Sequence, residues 1–207
     1  MNSRWSASLK FLLASLLAGA LIPSAFAHLP VPPKRGDIGR KAVQTQVPDF
    51  NLIDQEGKAF HFASTRGKSV LVTFIFTTCP DVCPLLTAKF AAIQRSLQEK
   101  QRDDYWLLSI TTDPEHDTPA TLKSYAQQYK ADLSRWRFLT GSPDQLEKAW
   151  KAFGVTVKKS ASGQIQHTAL TTLIDRDGVR RVDYYTDKWQ EKEILRDISA
   201  LTASGSK

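Results

Sequence analysis

Apolar residues lie along the chain in two patterns, short continuous or nearly continuous runs and stripes at helical spacing. One mostly apolar run covers Ser69 to Phe76 and predicts a buried strand. An amphipathic helix is predicted directly after it, because apolar side chains recur there on one helical face. These side chains are Leu86, Phe90, Ile93 and Leu97. Residues 77–84 therefore connect a buried strand to a helix.

Strands and helices alternate through the rest of the chain. Further strands are predicted at 50–53, 60–62, 105–110, 136–139, 168–174 and 179–185. Two helices are predicted after the capping residues Thr118 and Ser142, and Gly154 is expected to end the second of them. A closing helix is predicted from the stripe Ile194, Leu195, Ile198 and Leu201.

The order of these elements indicates an α/β domain with a central mixed sheet flanked by helices. A hairpin comes first, then the strand and helix around 77–84, then further strand–helix units, and last a hairpin with a helix. This order describes a thioredoxin-like fold with an N-terminal hairpin and an inserted strand–helix unit. A chain of 207 residues with 42% hydrophobic content can bury one good core, so one folded domain is expected.

The first residues have the pattern of an export signal. Arg4 and Lys10 give a positive start, an apolar stretch follows, and Ala25-Phe26-Ala27 offers a cleavage site between small residues. We therefore expect a signal peptide at 1–27, with an uncleaved anchor as the alternative. A flexible, proline-containing tether is expected at 28–46, the folded domain at 47–202 and a short tail at 203–207. The predicted location is the periplasm or the outer face of the inner membrane.

The charge of the chain is only mildly basic. The formal charge of +7 falls to +5 when the signal is removed with its two basic residues. No run of Lys and Arg is interleaved with aromatic residues, so nucleic acid is not expected as a partner. Acidic proteins or anionic lipid near a membrane fit this charge better.

The only two cysteines, Cys79 and Cys83, lie in the strand-to-helix connection. Residues four apart share one face of a helix, and the first turn of a helix offers free N–H groups and a positive dipole end. Both thiols can therefore form thiolates that point the same way. Pro84 directly after them suits a first helical position.

Four motifs in order resemble those of the Sco/SenC family. They are TCPDVCP at 78–84, DPEHDTP at 113–119, FLTG at 138–141, and HT at 167–168 ahead of LID at 173–175. Together they cover roughly residues 45 to 200. The family resembles thioredoxin in fold, is anchored or exported, and binds copper through two cysteines and one histidine.

The resemblance implies a site and a function. It implies that Cys79, Cys83 and His167 are copper ligands, and that the protein delivers copper to the copper A site of cytochrome c oxidase. The implied partners are the receiving protein, namely oxidase subunit II, an upstream copper donor and a thiol reductant. Turnover of a small substrate is not expected.

The chain departs from the family pattern at two positions. His116 stands where an arginine is expected, and Gln166 precedes the histidine where family members often have an acidic residue. Gln166 removes a charge that would tune the site, which bears on copper affinity rather than on ligand identity. His116 lies in a polar loop, where a surface or supporting role is expected.

The implied ligand set fits copper on chemical grounds. Two thiolates and an imidazole are a soft, low-coordinate set that suits Cu(I) and also Cu(II), whereas structural zinc usually takes four ligands. The single methionine, Met1, leaves with the predicted signal, so a thioether ligand is excluded.

Other uses of the cysteines stay open. A structural disulfide suits an oxidising compartment, although so small a loop constrains the unfolded chain little. Thiol–disulfide exchange with a partner is natural on a thioredoxin-like scaffold. However, thioredoxin-type sites use Cys-x-x-Cys facing a cis proline, and no proline follows Pro143. A redox or copper sensor would use the same residues.

Overall fold

An eight-stranded mixed sheet forms the centre of the protein, of which the computed structural model describes residues 39–204. The strands of the described residues, of which β7 and β8 form a separate two-stranded sheet, are β1 (Arg40–Gln46), β2 (Asn51–Asp54), β3 (Ala59–His61), β4 (Ser69–Ile75), β5 (Tyr105–Thr111), β6 (Trp136–Thr140), β7 (Val157–Lys159), β8 (Ile165–His167), β9 (Leu170–Ile174) and β10 (Val179–Tyr185). The helices are α1 (Val82–Glu99), α2 (Pro119–Gln128), α3 (Pro143–Phe153) and α4 (Glu191–Ser204), with a short 3-10 turn at Phe62–Thr65.

The predicted buried strand, β4, lies inside the sheet, whose order is β1-β10-β9-β4-β5-β6-β2-β3. All seven residues of β4 are buried, as its mostly apolar run predicts. β4 pairs in parallel with β5, and β5 pairs in parallel with β6, whereas β9 pairs antiparallel to β4. The carboxyl ends of β4, β5 and β6 therefore meet at one edge of the sheet. The predicted mixed sheet and thioredoxin-like fold are confirmed.

Two hydrophobic cores cover the two faces of the sheet. On one face, Phe90 of α1, Tyr125 of α2 and Ile198 of α4 are buried in the same cluster as Trp136. On the other face, Phe153 of α3 is buried among other apolar side chains. Its ring contacts Phe50, Phe62 and Phe74. The helices are thereby packed against the sheet. Each connection that leaves the carboxyl end of a parallel strand therefore starts on a strand and ends on a helix that are both held by a core.

The predicted helix boundaries are mostly confirmed. The Thr118 hydroxyl accepts from the Thr121 N–H at the start of α2, and Ser142 and Gln145 form a capping box at the start of α3. Gly154 ends α3 in the left-handed conformation, with φ of 69°. The expectation for Pro84 is wrong, because α1 begins two residues earlier, at Val82.

The folded domain starts earlier than the sequence predicts. The predicted tether 28–46 is wrong for Arg40–Gln46, which forms β1 and pairs antiparallel with β10 at the edge of the sheet. Arg40 also donates a hydrogen bond to Asp197 of α4 at 2.7 Å. The prediction failed because only Val43 of this strand is even half-buried, so the segment lacks the apolar alternation of a strand.

The remaining terminal predictions fall outside the described residues. These are the signal peptide at 1–27, the tether up to residue 38 and the end of the tail, 205–207. The last helix runs to Ser204, two residues into the predicted tail. Between residues 39 and 204, no helix has the length and apolar character needed to cross a membrane.

Candidate metal centre

Cys79, Cys83 and His167 line one small pocket at the carboxyl end of β4. Cys79 lies in the connection between β4 and α1, here called the cysteine loop (residues 76–81), and Cys83 lies in the first turn of α1. His167 reaches the pocket from the end of β8, which forms a separate two-stranded ribbon with β7. The structure therefore brings His167 to the two cysteines, which come from a distant part of the sequence.

The pocket is narrow and largely apolar. Phe76, Val82, Leu86, Ile165 and Ala169 supply most of its other walls. Its volume is about 20 Å³, room for little more than one water-sized sphere. A pocket of this size suits an ion better than an organic substrate.

The two sulfurs differ in their tendency to ionise. The Cys83 thiol donates a hydrogen bond to Cys79, which together with N–H groups of Cys83, Asp81 and Val82 lowers the pKa of Cys79 to about 6. The same hydrogen bond, with burial, raises the pKa of Cys83. Both cysteines are free thiols and both are buried. The pair thus consists of a thiolate at Cys79 and a thiol at Cys83 near neutral pH.

The hydrogen bonding of His167 leaves its Nε2 atom available as a metal ligand. Its Nδ1 lies 3.0 Å from the backbone oxygen of Thr168, and a carbonyl oxygen only accepts, so Nδ1 carries the proton. Burial lowers the pKa of His167, although the Thr168 carbonyl opposes this shift. The neutral ring packs edge-on against Phe76, with centroids 5.9 Å apart. Its Nε2 therefore keeps a free lone pair, as metal binding requires.

The three side chains share a pocket without forming a finished site. In the part of the chain that the structure describes, no three His, Cys, Asp or Glu side chains are already grouped closely enough to hold a metal ion. The donor set itself, two sulfurs and a neutral imidazole, fits copper. A metal ion held by all three side chains would need them to lie closer together, and the ribbon that carries His167 is separate from the main sheet.

The DPEHDTP segment lies in the next strand-to-helix connection, here called the acidic loop (residues 112–118). His116 does not line the pocket; its ring is 59% exposed and its Nδ1 lies 2.7 Å from a carboxylate oxygen of Asp113. Glu115 forms an ion pair with Lys159 of β7, which links the acidic loop to the ribbon. Gln166 is exposed and lies at the rim of the pocket.

Asp117 of the acidic loop is a buried residue that the sequence pattern did not single out. Asp117 is fully buried and accepts hydrogen bonds from Thr77 of the cysteine loop and from Thr111 at the end of β5. Burial raises its pKa, and the hydrogen bonds from Thr111 and Thr77 oppose that rise. Threonines near the ends of two neighbouring strands were a signal that a carboxylate is buried there, because hydroxyl groups can satisfy it, but they did not identify which carboxylate it is.

The fold and pocket define a class, a thioredoxin-like domain with a buried pair of cysteines facing a histidine. The chain belongs to the SCO1/SenC family, whose model it matches over residues 39–203. The predicted family resemblance is thereby confirmed, and the match includes both cysteines, His167 and β1.

Similar proteins agree with this assignment. The chain is 35% identical to the SCO1 protein homolog of Bacillus subtilis over 161 residues, which is 76% of this chain and 83% of the relative. The copper-bound structure of Bradyrhizobium japonicum ScoI is 33% identical, with a TM-score of 0.64, and the match covers 79% of this chain and 99% of that chain.

A third similar protein belongs to a family linked to assembly of cytochrome c oxidase. It is BsSco, described as a member of the Sco family of cytochrome c oxidase assembly proteins in which a disulfide switch was identified. Its structure is 31% identical, with a TM-score of 0.69, and the match covers 79% of this chain and 96% of that chain.

Proposed function

We propose that this protein binds one copper ion through Cys79, Cys83 and His167 and delivers it during assembly of the copper A site of cytochrome c oxidase. The single observation that carries the proposal is the buried pocket lined by a thiolate, a thiol and a neutral imidazole. The copper-bound structure of a 33% identical relative supports it. We place the protein in the periplasm or on the outer face of the inner membrane.

The residues have distinct roles in loading. The Cys79 thiolate is the first ligand, because it is ionised before copper arrives. Cys83 must release its proton when it binds, so loading frees about one proton per copper near pH 7. The Nε2 atom of His167 completes the set. The apolar walls keep water away from the ion, and a partner offering cysteines or histidines removes it by ligand exchange.

Copper in this scheme is cargo. The partners are oxidase subunit II as receiver, an upstream donor that supplies the copper, and a reductant that keeps the two cysteines as thiols. The reduced pair can bind copper and a disulfide between them cannot, so the redox state of the pair controls loading.

A second candidate function is thiol–disulfide exchange. The lowered pKa of Cys79 favours it, because the thiolate can attack a partner disulfide and form a mixed disulfide. Cys83, once deprotonated, would then attack Cys79 and release the partner as a dithiol. The disulfide switch described for BsSco supports this reading. A redox or copper sensor would use the same chemistry.

Anaerobic titration of the reduced protein with copper tests the first proposal. We expect one equivalent to bind, with thiolate-to-copper charge-transfer bands, and no binding after the cysteines are oxidised. His167→Ala should weaken binding strongly. His61→Ala is the matched control, because His61 is an exposed histidine on β3 that pairs with Asn51.

Two results would overturn copper delivery. One is the absence of tight binding by the reduced protein, and the other is binding that is indifferent to His167→Ala. The reduction potential of the Cys79–Cys83 pair and its exchange with a partner disulfide would then be the next measurements.

A further inference from the structure

We propose that Asp117 is a positioning residue for the copper site: it holds the cysteine loop so that the Cys79 sulfur stays in place beside Cys83 and His167. The inference rests on the proposed function, because it concerns the same site. It adds a residue from a different strand-to-helix connection, and that residue does not line the pocket.

The contacts of Asp117 join the ends of two parallel strands. Its Oδ1 accepts from the Thr77 hydroxyl at 2.5 Å and from the Thr77 N–H at 3.2 Å. Its Oδ2 accepts from the Thr111 hydroxyl at 2.5 Å. Thr77 follows β4 and Thr111 ends β5, so one carboxylate bridges both strands at the edge that carries the pocket.

Thr77 lies in the turn that sets the position of Cys79. The Cys79 N–H donates to the Phe76 oxygen at 3.2 Å, which closes a four-residue turn with Thr77 and Thr78 at its centre. Asp117 holds this turn at its second residue through both the backbone and the side chain. A loss of these bonds would release the turn two residues before the metal-binding sulfur.

Asp117 is itself held by rigid elements. Its N–H donates to the Asp113 oxygen at 2.9 Å, and the next residue, Thr118, caps α2. The acidic loop is fastened to β4 as well, because the Thr112 N–H donates to the Ile75 oxygen at 2.7 Å. The carboxylate therefore transmits the position of β5 and α2 to the cysteine loop.

A second buried carboxylate provides the matched comparison. Asp183 in β10 is also buried, and it also accepts from a threonine hydroxyl, that of Thr172, at 2.7 Å. It pairs with Arg180 and does not line the pocket. A loss of buried hydrogen bonds at Asp183 should thus lower stability and leave the copper site unchanged.

The experiment compares Asp117→Asn with Asp183→Asn in the reduced protein, with Cu(I) competition for affinity and Cu(II) absorption for site geometry. An amide keeps the shape of the side chain but cannot accept all the hydrogen bonds of a carboxylate. Asp117→Asn should weaken copper binding by about 10-fold to 100-fold and shift the charge-transfer bands. Asp183→Asn should keep the wild-type bands and an affinity within about twofold.

A pair of substitutions at Thr77 tests the same contact from the other side. Thr77→Val removes the hydroxyl and should shift the charge-transfer bands, whereas Thr77→Ser keeps the hydroxyl and should restore them. This pair decides the question if Asp117→Asn does not fold. Circular dichroism and urea unfolding separate loss of fold from loss of copper geometry.

The outcomes distinguish the two proposals. If the wild-type protein binds no copper, the proposed function fails and this inference fails with it. If the wild-type protein binds copper while Asp117→Asn behaves like Asp183→Asn, or Thr77→Val keeps wild-type bands, the positioning role is wrong and copper binding stands.

Discussion

The cysteine loop and the acidic loop are two versions of the same connection. Each leaves the carboxyl end of a parallel strand and leads into a helix, β4 into α1 and β5 into α2. The helix starts differ. Thr118 caps α2 with its hydroxyl, whereas the side chain of Asp81 at the start of α1 makes no capping hydrogen bond within residues 39–204.

The difference shows how a helix start is turned into a site. The N–H groups of Asp81, Val82 and Cys83 help to lower the pKa of Cys79, so the sulfur takes the place of a capping oxygen. In the acidic loop, Thr118 caps α2, and Asp117 accepts a hydrogen bond from Thr77 of the cysteine loop. One connection supplies reactive groups and the other supplies fixed geometry.

The largest contrast between the loops should be in copper affinity. Cys79→Ala and Cys83→Ala should each lower it by more than about 100-fold, because each removes a proposed ligand and not merely a supporting contact. Glu115→Ala in the acidic loop is the control, and it should change affinity by about twofold at most because Glu115 is exposed. Competition with a Cu(I) chelator measures both. Equal losses in the two loops would contradict this division of roles.

The next contrast concerns the pKa of Cys79. Thiolate absorbance should rise with a midpoint near pH 6, because the lowered pKa keeps Cys79 ionised above that pH and protonated below it. Cys83→Ala removes the main hydrogen bond and should raise the midpoint toward the ordinary value of about 8.5. Absorbance of the metal-free, reduced protein against pH gives both midpoints. An unchanged midpoint in Cys83→Ala would assign the low pKa to the helix N–H groups alone.

Helix capping should give a smaller difference. Thr118→Ala should lower the free energy of unfolding by about 1 kcal/mol, because it removes a capping hydrogen bond of α2. Asp81→Ala should lower it by about 0.5 kcal/mol or less, as expected for an exposed residue without such a bond. Urea unfolding measures both variants. A larger loss for Asp81→Ala would show that α1 depends on a conventional cap after all.

The smallest effect is expected at His116. His116→Ala should leave copper affinity within about twofold of wild type, since the ring is largely exposed and lies outside the pocket wall. His167→Ala in the same titration is the positive control. A loss comparable to that of His167→Ala would make His116 a ligand and would require the acidic loop to close over the pocket.

Patterns that depend on local burial predicted most of the fold. The apolar run of β4 and the capping residues Thr118 and Ser142 gave elements that the structure contains. β1 was missed because it is held by backbone pairing at an exposed sheet edge and by the bond from Arg40 to Asp197. Neither interaction leaves an apolar pattern in the segment.

Only some residues of the site could be predicted from the sequence. The two cysteines stand out in the sequence, and the family motifs pointed to His167. Asp117 did not stand out, because the acidic loop contains three carboxylates and its sequence does not reveal which one turns inward. The choice depends on where Thr77 and Thr111 lie in space, and that follows only from the pairing of β4 with β5.

The pairing of the first strand also determines where the chain enters the sheet. Gly39 accepts from the Tyr185 N–H, and Tyr185 pairs with Leu170, so the chain enters the sheet at the edge that carries the pocket. Three strand spacings separate β1 from β4, about 15 Å. The start of β1 and the pocket therefore lie at the same edge of the sheet, so a partner protein that covers the pocket also approaches the start of β1.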